Sequence, residues 1–281
     1  MKIIKVFNQN AVLVSDNGQD KIVTGKGIGF SKKQNDLVPR NQIEREYVAT
    51  ETKSKMEQLL QSIDPEYFIA SEEIIDKAEE MLNTKFNEHI HSILADHIAF
   101  AIDRIRDGII IQNKLLNEIQ ILYPDEFRAA EWAVNYLREK FSLDFTIDEA
   151  AYIAIHFHSA SSGQSTTNKS IREVTIISAM VTTIAEELDV DFSKMSMGLN
   201  YSRLVVHLRY VVERVYQSKF HSMDDDVFQL VKTKYQRSYA VAEKVARMTK
   251  VDYGLTIPGE ELGYITLHIE RLSDQLGRAH N

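Results

Sequence analysis

The sequence predicts a multidomain chain in which a small antiparallel β-sheet module precedes two homologous all-α helical-bundle domains. Three observations predict this class. The first 50 residues contain short apolar runs between turn-forming clusters, apolar residues recur at helical spacing from about residue 65, and the helical part repeats itself. A length of 281 residues suits two or three domains.

The β-sheet module, residues 1–55, is predicted from four strand-like segments. They lie at 3–7, 11–14, 21–24 and 36–47, and turn-forming residues such as Asn10 and Gly18 separate the first three. So short a sequence buries only a thin core, and small modules often gain stability by dimerising. We therefore expect this module to be dimeric.

The helical part follows a predicted helical linker, which we place at 56–65. The stretch SEEIIDKAEEMLNTKF has apolar residues at helical spacing, and its first residue, Ser71, is the predicted N-cap. The polar stretch SASSGQSTTNKS at 159–170 is a second predicted linker. It divides the helical part into domains at 66–170 and 171–281.

Composition restricts the possible chemistry and location. Cysteine is absent, which excludes disulfides, thiolate nucleophiles and thiolate metal sites. The N-terminus MKIIKVFNQN lacks the apolar region of a signal peptide, and no apolar run is long enough to cross a membrane. We therefore expect a soluble cytoplasmic protein with no membrane insertion.

The net charge of −8 is unevenly distributed. Residues 1–55 hold 10 lysines and arginines against 6 acidic residues, whereas the remainder holds 23 against 35. A basic module ahead of an acidic body predicts an anionic partner for the first 55 residues. The alternative is a chance imbalance in a short window.

The internal repeat is visible when the chain is aligned with itself. ADHIAFAIDRI at 95–105 aligns with VVHLRYVVERV at 205–215, and EAAYIAIHF at 149–157 aligns with ELGYITLHI at 261–269. Each repeat thereby carries two histidines at equivalent places, namely His97 and His156 in the first, and His207 and His268 in the second. Their retention, while neighbouring residues differ, favours a chemical role over a purely structural one.

Three kinds of chemistry suit histidine without cysteine. A metal site is disfavoured because no H-E-x-x-H pattern occurs, and general acid–base catalysis lacks a visible partner constellation. Reversible phosphorylation of an imidazole nitrogen remains, and its added charge would act on nearby groups. Arg104 and Arg214 are possible partners, with ordinary surface salt bridges as the alternative.

The stretch GKGIGFSKKQND at 25–36 admits several interpretations. It could be a phosphate-binding loop, a segment that lets another backbone approach, or a solvated turn. A nucleotide loop is disfavoured because G-x-G-x-G here follows strands and opens no predicted helix.

Taken together, these segments resemble the BglG/SacY family of transcriptional antiterminators. The motifs that carry the resemblance run in order from residue 1 to about residue 275, and they are MKIIKVFNQNAV, GKGIGFSKKQND, ADHIAFAIDR, LLNEIQILYPDEF, AAYIAIHFHSA, YSRLVVHLRYVVERV and ELGYITLHIERL. The resemblance implies that residues 1–55 form a dimeric co-antiterminator RNA-binding domain. It implies binding of a leader-mRNA hairpin, which prevents formation of the overlapping terminator and switches on sugar-utilisation genes.

The same resemblance implies two domains regulated by the sugar phosphotransferase system. Its phosphocarrier protein and sugar permease would phosphorylate His97, His156, His207 and His268. His158 has no counterpart in the second repeat and is interpreted as structural or incidental. Asp96 precedes the first histidine and is a candidate to hold its imidazole.

The resemblance also implies RNA contacts along the opening stretch. Phe30 could stack on an unpaired base, and lysines could contact phosphates. The predicted RNA-binding residues are Lys5, Asn10, Gly25, Lys26, Gly27, Phe30, Lys32 and Lys33. For the lysines alone a solvated turn is the alternative, and for Phe30 alone a place in the core or a dimer interface.

The sequence therefore predicts a homodimeric, RNA-binding antiterminator that is not an enzyme and needs neither metal nor cofactor. A DNA-binding activator with the same regulation domains is one alternative, but it should begin with helix-turn-helix patterns. A histidine phosphocarrier is the other, but it would not need a basic β module.

Overall fold

A computed structural model describes residues 1–48, 58–161, 167–190, 192, 198–219 and 223–279. Its contacts divide the chain into two compact units. Unit 1 comprises Met1–Gln112 and Asp125–Ser165, and unit 2 comprises Asn113–Pro124 and Thr166–Asn281.

The N-terminal module of unit 1 is a four-stranded antiparallel sheet in sequential order. Its strands are β1 (Lys2–Asn8), β2 (Ala11–Asp16), β3 (Gln19–Thr24) and β4 (Arg45–Val48). Asn17 and Gly18 both have positive φ, of 51° and 82°, and form the two-residue turn that the twist of a hairpin favours.

The first three strands are confirmed, but the fourth prediction, at 36–47, is wrong at its start. Most of that segment is irregular, with a 3₁₀ turn at Arg40–Gln42. Before β4 begins, its β pairing within the described residues is an isolated bridge between Lys2 and Leu37. Pro39 immediately precedes the 3₁₀ turn and has no backbone N–H to donate to a neighbouring strand.

Side chains alternate between the two faces of the sheet along each strand. A cluster of buried apolar side chains from elsewhere in the chain packs on each face. Val12 and Val14 point to the face covered by the segment that contains Ile28 and Val38. On the opposite face a second cluster joins the sheet to the helices of unit 1, and it consists of Ala11, Leu13, Ile22, Leu59, Leu60, Phe68 and Ala95. The thin core of the module is thereby enlarged by its own chain.

The helices of unit 1 are α1 (Pro65–Leu82), α2 (His89–Arg106), α4 (Pro124–Phe141, whose first residue is assigned to unit 2) and α5 (Ile147–Ser161). The prediction that Ser71 caps the first helix is wrong. Asp64 is the N-cap, its carboxylate accepts from the Glu66 N–H at 2.8 Å, and Pro65 stands at the first helical position. Ser71 is buried inside α1 and donates to the Phe68 carbonyl.

The helices of unit 2 are α3 (Leu116–Leu122), α6 (Thr167–Leu188), α7 (Leu199–Gln217), α8 (Asp225–Lys234), α9 (Gln236–Tyr253) and α10 (Gly259–Ala279). Although α3 lies inside the first sequence repeat, it packs against α6 and α7. Tyr201 of α7 donates to the buried Glu118 of α3 at 3.1 Å. The compact units are therefore divided differently from the predicted domains at 66–170 and 171–281.

Most of the described part of each predicted linker is helical. Residues 58–62 are helical, whereas 51–57 lie outside the described residues. The stretch at 159–170 is helical at both ends, because α5 continues to Ser161 and α6 begins at Thr167, and 162–166 lie outside the described residues. Among the described helices, none has the length and apolar character required to cross a membrane.

Candidate functional site

The first histidine pair lies between α2 and α5. The ring centroids of His97 and His156 are 5.2 Å apart, although the residues are 59 positions apart in sequence, and Tyr152 lies 6.0 Å from His97. The pair lines a cavity of about 570 Å³, together with the exposed Phe100 and Asp96. The fold therefore makes one cluster from two distant motifs.

A buried carboxylate, Glu149, lies beneath this pair. Its Oε1 accepts from Arg104 Nη2 at 2.5 Å, and its Oε2 is 3.5 Å from His97 Nε2. Burial raises the pKa of Glu149, but the neighbouring His97 and Arg104 outweigh burial, and the net pKa is lowered. The carboxylate is therefore charged at neutral pH. The carboxylate near His97 is thus Glu149, whereas Asp96 is exposed on the cavity wall.

His156 is held in its neutral form. Burial, assisted by His97, lowers its pKa to about 3. Its Nδ1 is buried and has no hydrogen-bond partner within the described part of the chain. A neutral imidazole keeps a lone pair on one of its two ring nitrogens, and that nitrogen is a nucleophile at neutral pH.

The second pair repeats this arrangement between α7 and α10. The rings of His207 and His268 stack with centroids 4.6 Å apart, and Tyr264 lies 6.0 Å from His207. Burial, with smaller effects of His268 and Arg214, lowers the pKa of His207 to about 3. Burial and the charges of Arg271 and Arg203 lower the pKa of His268.

The ion pair beneath the second cluster is bidentate. Arg214 donates from Nε and Nη2 to the two oxygens of the buried Glu261, both at 2.7 Å. Arg214 and Arg104 therefore form ion pairs with buried carboxylates rather than surface salt bridges. Sequence reasoning missed both carboxylates, although Glu149 and Glu261 align in the internal repeat and could have been found there.

The clusters are thus two copies of one five-residue constellation of two histidines, a tyrosine, a glutamate and an arginine. His158 stands apart from it, with Nδ1 3.0 Å from Glu126 Oε1. In the described ranges, no group of three or more histidine, aspartate or glutamate side chains is arranged to hold a metal ion.

In the β module, Asn10 organises the turn that follows β3. Its side-chain oxygen accepts from the Gly27 N–H at 2.7 Å, and its carbonyl accepts from the Gly25 N–H at 3.0 Å. Asn10 is itself buried. The structure therefore gives Asn10 a supporting role beneath the turn rather than an exposed position.

The glycines of this turn meet different surroundings. A Cβ at Gly25 would lie 2.0 Å from the Gln42 carbonyl oxygen, and one at Gly29 would lie 2.2 Å from that of Asn8. Both glycines therefore permit close approach within their own chain. Gly27 has a φ of +70° and open space around it, so it is the glycine whose backbone another molecule can approach.

Phe30 and most of the predicted basic RNA-binding residues of the β module are exposed. Phe30 is 67% exposed, and Lys5, Lys26 and Lys33 are exposed as well. Lys32 is half-buried, and its Nζ donates to the Leu37 carbonyl at 3.4 Å. The exposed Phe30 ring can stack on a base, and the exposed ammonium groups of the module can neutralise phosphates.

A cavity of about 630 Å³ separates part of this surface from α1. Asn10, Gly25 and Lys26 line one wall, and four carboxylates of α1 line the other, namely those of Glu66, Glu72, Glu73 and Asp76. Arg45 of β4 closes one end through ion pairs with Glu72, at 3.0 Å, and with Asp76.

Comparisons with known proteins agree with this arrangement. The CAT RNA binding domain matches residues 1–56, and the PRD domain matches residues 72–160 and 171–272. Transcription antiterminator LicT of Bacillus subtilis (strain 168) is 33% identical over 279 residues, which cover 98% of this chain and 100% of that protein. The beta-glucoside operon antiterminator of Dickeya chrysanthemi is 30% identical over 280 residues, 98% of each chain.

Among solved structures, the crystal structure of GlcT CAT-PRDI matches with a TM-score of 0.53 and 34% identity, covering 57% of this chain and 98% of that one. The predicted fold class of a β-sheet module followed by helical domains is confirmed, and so is the resemblance read from the motifs. The chain belongs to the BglG family of transcription antiterminators, which combine a CAT RNA-binding domain with PRD regulation domains.

Proposed function

We propose that this chain binds an imperfect hairpin in a leader mRNA, prevents the overlapping terminator from forming, and so switches on sugar-utilisation genes. Phosphorylation of its histidines by the sugar phosphotransferase system sets its activity. The observation that carries the proposal is the duplicated five-residue constellation, in the same chain as an exposed aromatic and basic turn.

On the RNA side, Phe30 stacks on an unpaired base of the hairpin. The ammonium groups of Lys5, Lys26, Lys32 and Lys33 contact phosphates, and the open backbone at Gly27 approaches the RNA. Asn10 and Gly25 support these contacts from beneath by fixing the turn. Because phosphate contacts release counterions, affinity falls as salt rises.

On the regulatory side, a histidine lone pair attacks the phosphorus atom of a phosphorylated donor, and the bond from phosphorus to the donor breaks. The new phosphoryl group carries up to two negative charges above a buried carboxylate, Glu149 or Glu261. At a separation of about 5 Å this repulsion is on the order of 3 kcal/mol per unit charge in a medium of intermediate dielectric. The paired arginine, Arg104 or Arg214, attracts the same phosphoryl group and offsets part of this repulsion. The remainder is the energy available to repack the helices that hold the pair.

The partners of this function are the leader mRNA hairpin, the phosphocarrier protein, the sugar permease and a second copy of the chain. The chain receives phosphate but is not itself an enzyme. A DNA-binding activator is not favoured, because the described part of the first 48 residues contains strands and no helix-turn-helix.

The experiment is a titration of the full chain with an imperfect RNA hairpin and a fully paired control at two salt concentrations. Phe30→Ala should weaken hairpin binding by roughly tenfold or more, the loss expected for one stacked base. Leu37→Ala is the matched control, because Leu37 is 68% exposed in the same module but has no proposed contact with RNA. Equal effects of the two substitutions, or equal affinity for both RNAs, would contradict the proposal.

A further inference from the structure

The two histidine clusters differ in the residues that flank their histidines on the same helix faces. In the second cluster, Arg203 stands one helical turn before His207, and Arg271 stands three residues after His268. Residues three or four positions apart lie on the same face of a helix. The equivalent positions of the first cluster are Ile93 and Ser159.

The side chains at these positions differ in charge and availability. Arg203 and Arg271 are exposed, and neither forms an ion pair with any side chain that the structure describes. Their positive charges lower the pKa of His268, which agrees with their places on the histidine-bearing faces of α7 and α10. In the first cluster, Ile93 is 39% exposed, whereas Ser159 is buried and donates to the Ile155 carbonyl.

We infer that Arg203 and Arg271 are phosphate-binding residues that hold the phosphoryl group on His268. The first cluster has no arginine at the equivalent positions. The inference rests on the proposed phosphorylation of these histidines. It makes the two clusters unequal, because the second stabilises the phosphoryl dianion with two guanidinium groups. The first instead has Asp96 beside it, in a cavity whose other lining side chains are uncharged polar or apolar groups and the two imidazoles.

A guanidinium group is suited to this role because its N–H donors match the oxygens of a phosphoryl group. The effect should be moderate, because both arginines are exposed and salt screens them. The sign is nevertheless fixed. Cations beside a phosphoryl group favour its dianion, so they lower the pKa of its second ionisation.

The test is a ³¹P NMR titration of the full chain after phosphorylation by phosphoramidate, a small donor that needs no docking surface. Signals are assigned with single histidine-to-alanine variants. We expect a lower phosphoryl pKa at His268 than at the first cluster. Arg203→Ile together with Arg271→Ser should raise it by roughly half a unit for each arginine removed.

Two matched variants complete the design. Ile93→Arg, which adds a guanidinium at the first cluster, should lower the phosphoryl pKa there. Arg209→Met is the control, because Arg209 is on α7 as well but donates to the Leu122 carbonyl at 3.3 Å. A phosphoryl pKa at His268 that the double substitution leaves unchanged, or that Arg209→Met moves equally, would overturn the inference. No phosphoryl signal from any of the four histidines would instead contradict the proposed function itself.

Discussion

Acidification should destabilise unit 1 through His156, and replacement of this residue by glutamine should remove the effect. In the folded chain the pKa of His156 is about 3, because the ring is buried next to His97. In the unfolded chain the ordinary pKa of about 6.5 applies. Between these values the unfolded state binds the extra proton, so stability falls as pH falls from about 6.5 towards 3.

The magnitude follows from linkage. Between pH 7 and pH 5 an unfolded histidine becomes almost fully protonated while a folded one with so low a pKa does not, which costs about 2 kcal/mol. Glu149 does not contribute in this range, because its lowered pKa keeps the carboxylate charged at pH 5. His156→Gln should therefore reduce the pH dependence by about 2 kcal/mol, whatever its effect on absolute stability.

The assay is urea denaturation at the two pH values, followed by the fluorescence of Trp132. This is the only tryptophan of the sequence, and it lies in unit 1, stacked on Tyr136 at 5.4 Å. His89→Gln is the control, because His89 is an exposed histidine of the same unit. Identical pH dependence in the wild-type chain and His156→Gln would refute the assignment of a buried neutral imidazole.

Three further outcomes are expected. Glu261→Gln leaves Arg214 without a counter-charge and should lower the free energy of unfolding by about 3 kcal/mol, measured by thermal melts. A loss below about 1 kcal/mol would argue against a buried ion pair. Gly29→Ala should disrupt the β module, because its Cβ would collide with the Asn8 carbonyl oxygen, whereas Gly27→Ala should lower the free energy of unfolding by only about 1 kcal/mol. Equal hydrogen-exchange protection of the sheet amides in the two variants would contradict this difference. Glu73→Gln removes one negative charge from the acidic cavity wall, so it should tighten RNA binding by about threefold at low salt but not at high salt. An equal gain in affinity at both salt concentrations would exclude an electrostatic cause.

Local patterns predicted the elements whose cause is local. The first three strands follow from alternating apolar residues and turn-forming clusters, so they are close to their predicted positions. The start of α1 differs from the predicted one, although the sequence indicates it. Asp64 followed by Pro65 is a stronger helix N-terminus pattern than Ser71. Pro39 similarly indicated that the fourth strand begins late.

Features that depend on packing could not be derived in this way. The repeat predicted equivalent histidines, but only helix packing brings His97 within 5.2 Å of His156. Glu149 resembled one more acidic residue at a helix start, and its burial became evident only in the fold. The association of α3 with unit 2 is also a tertiary contact that no sequence period records.

We expect this chain to promote transcription through a terminator under the control of phosphohistidine. The most direct measurement is in vitro transcription of a template whose leader hairpin, selected by the binding titration, overlaps a terminator. We expect the full chain to raise read-through and the Phe30→Ala variant not to raise it. Phosphorylation should change the read-through obtained with the wild-type chain. A variant with alanine at His97, His156, His207 and His268 should not respond to phosphorylation. Unchanged read-through on addition of the wild-type chain, in both its phosphorylated and unphosphorylated forms, would show that this chain is not an antiterminator of that leader.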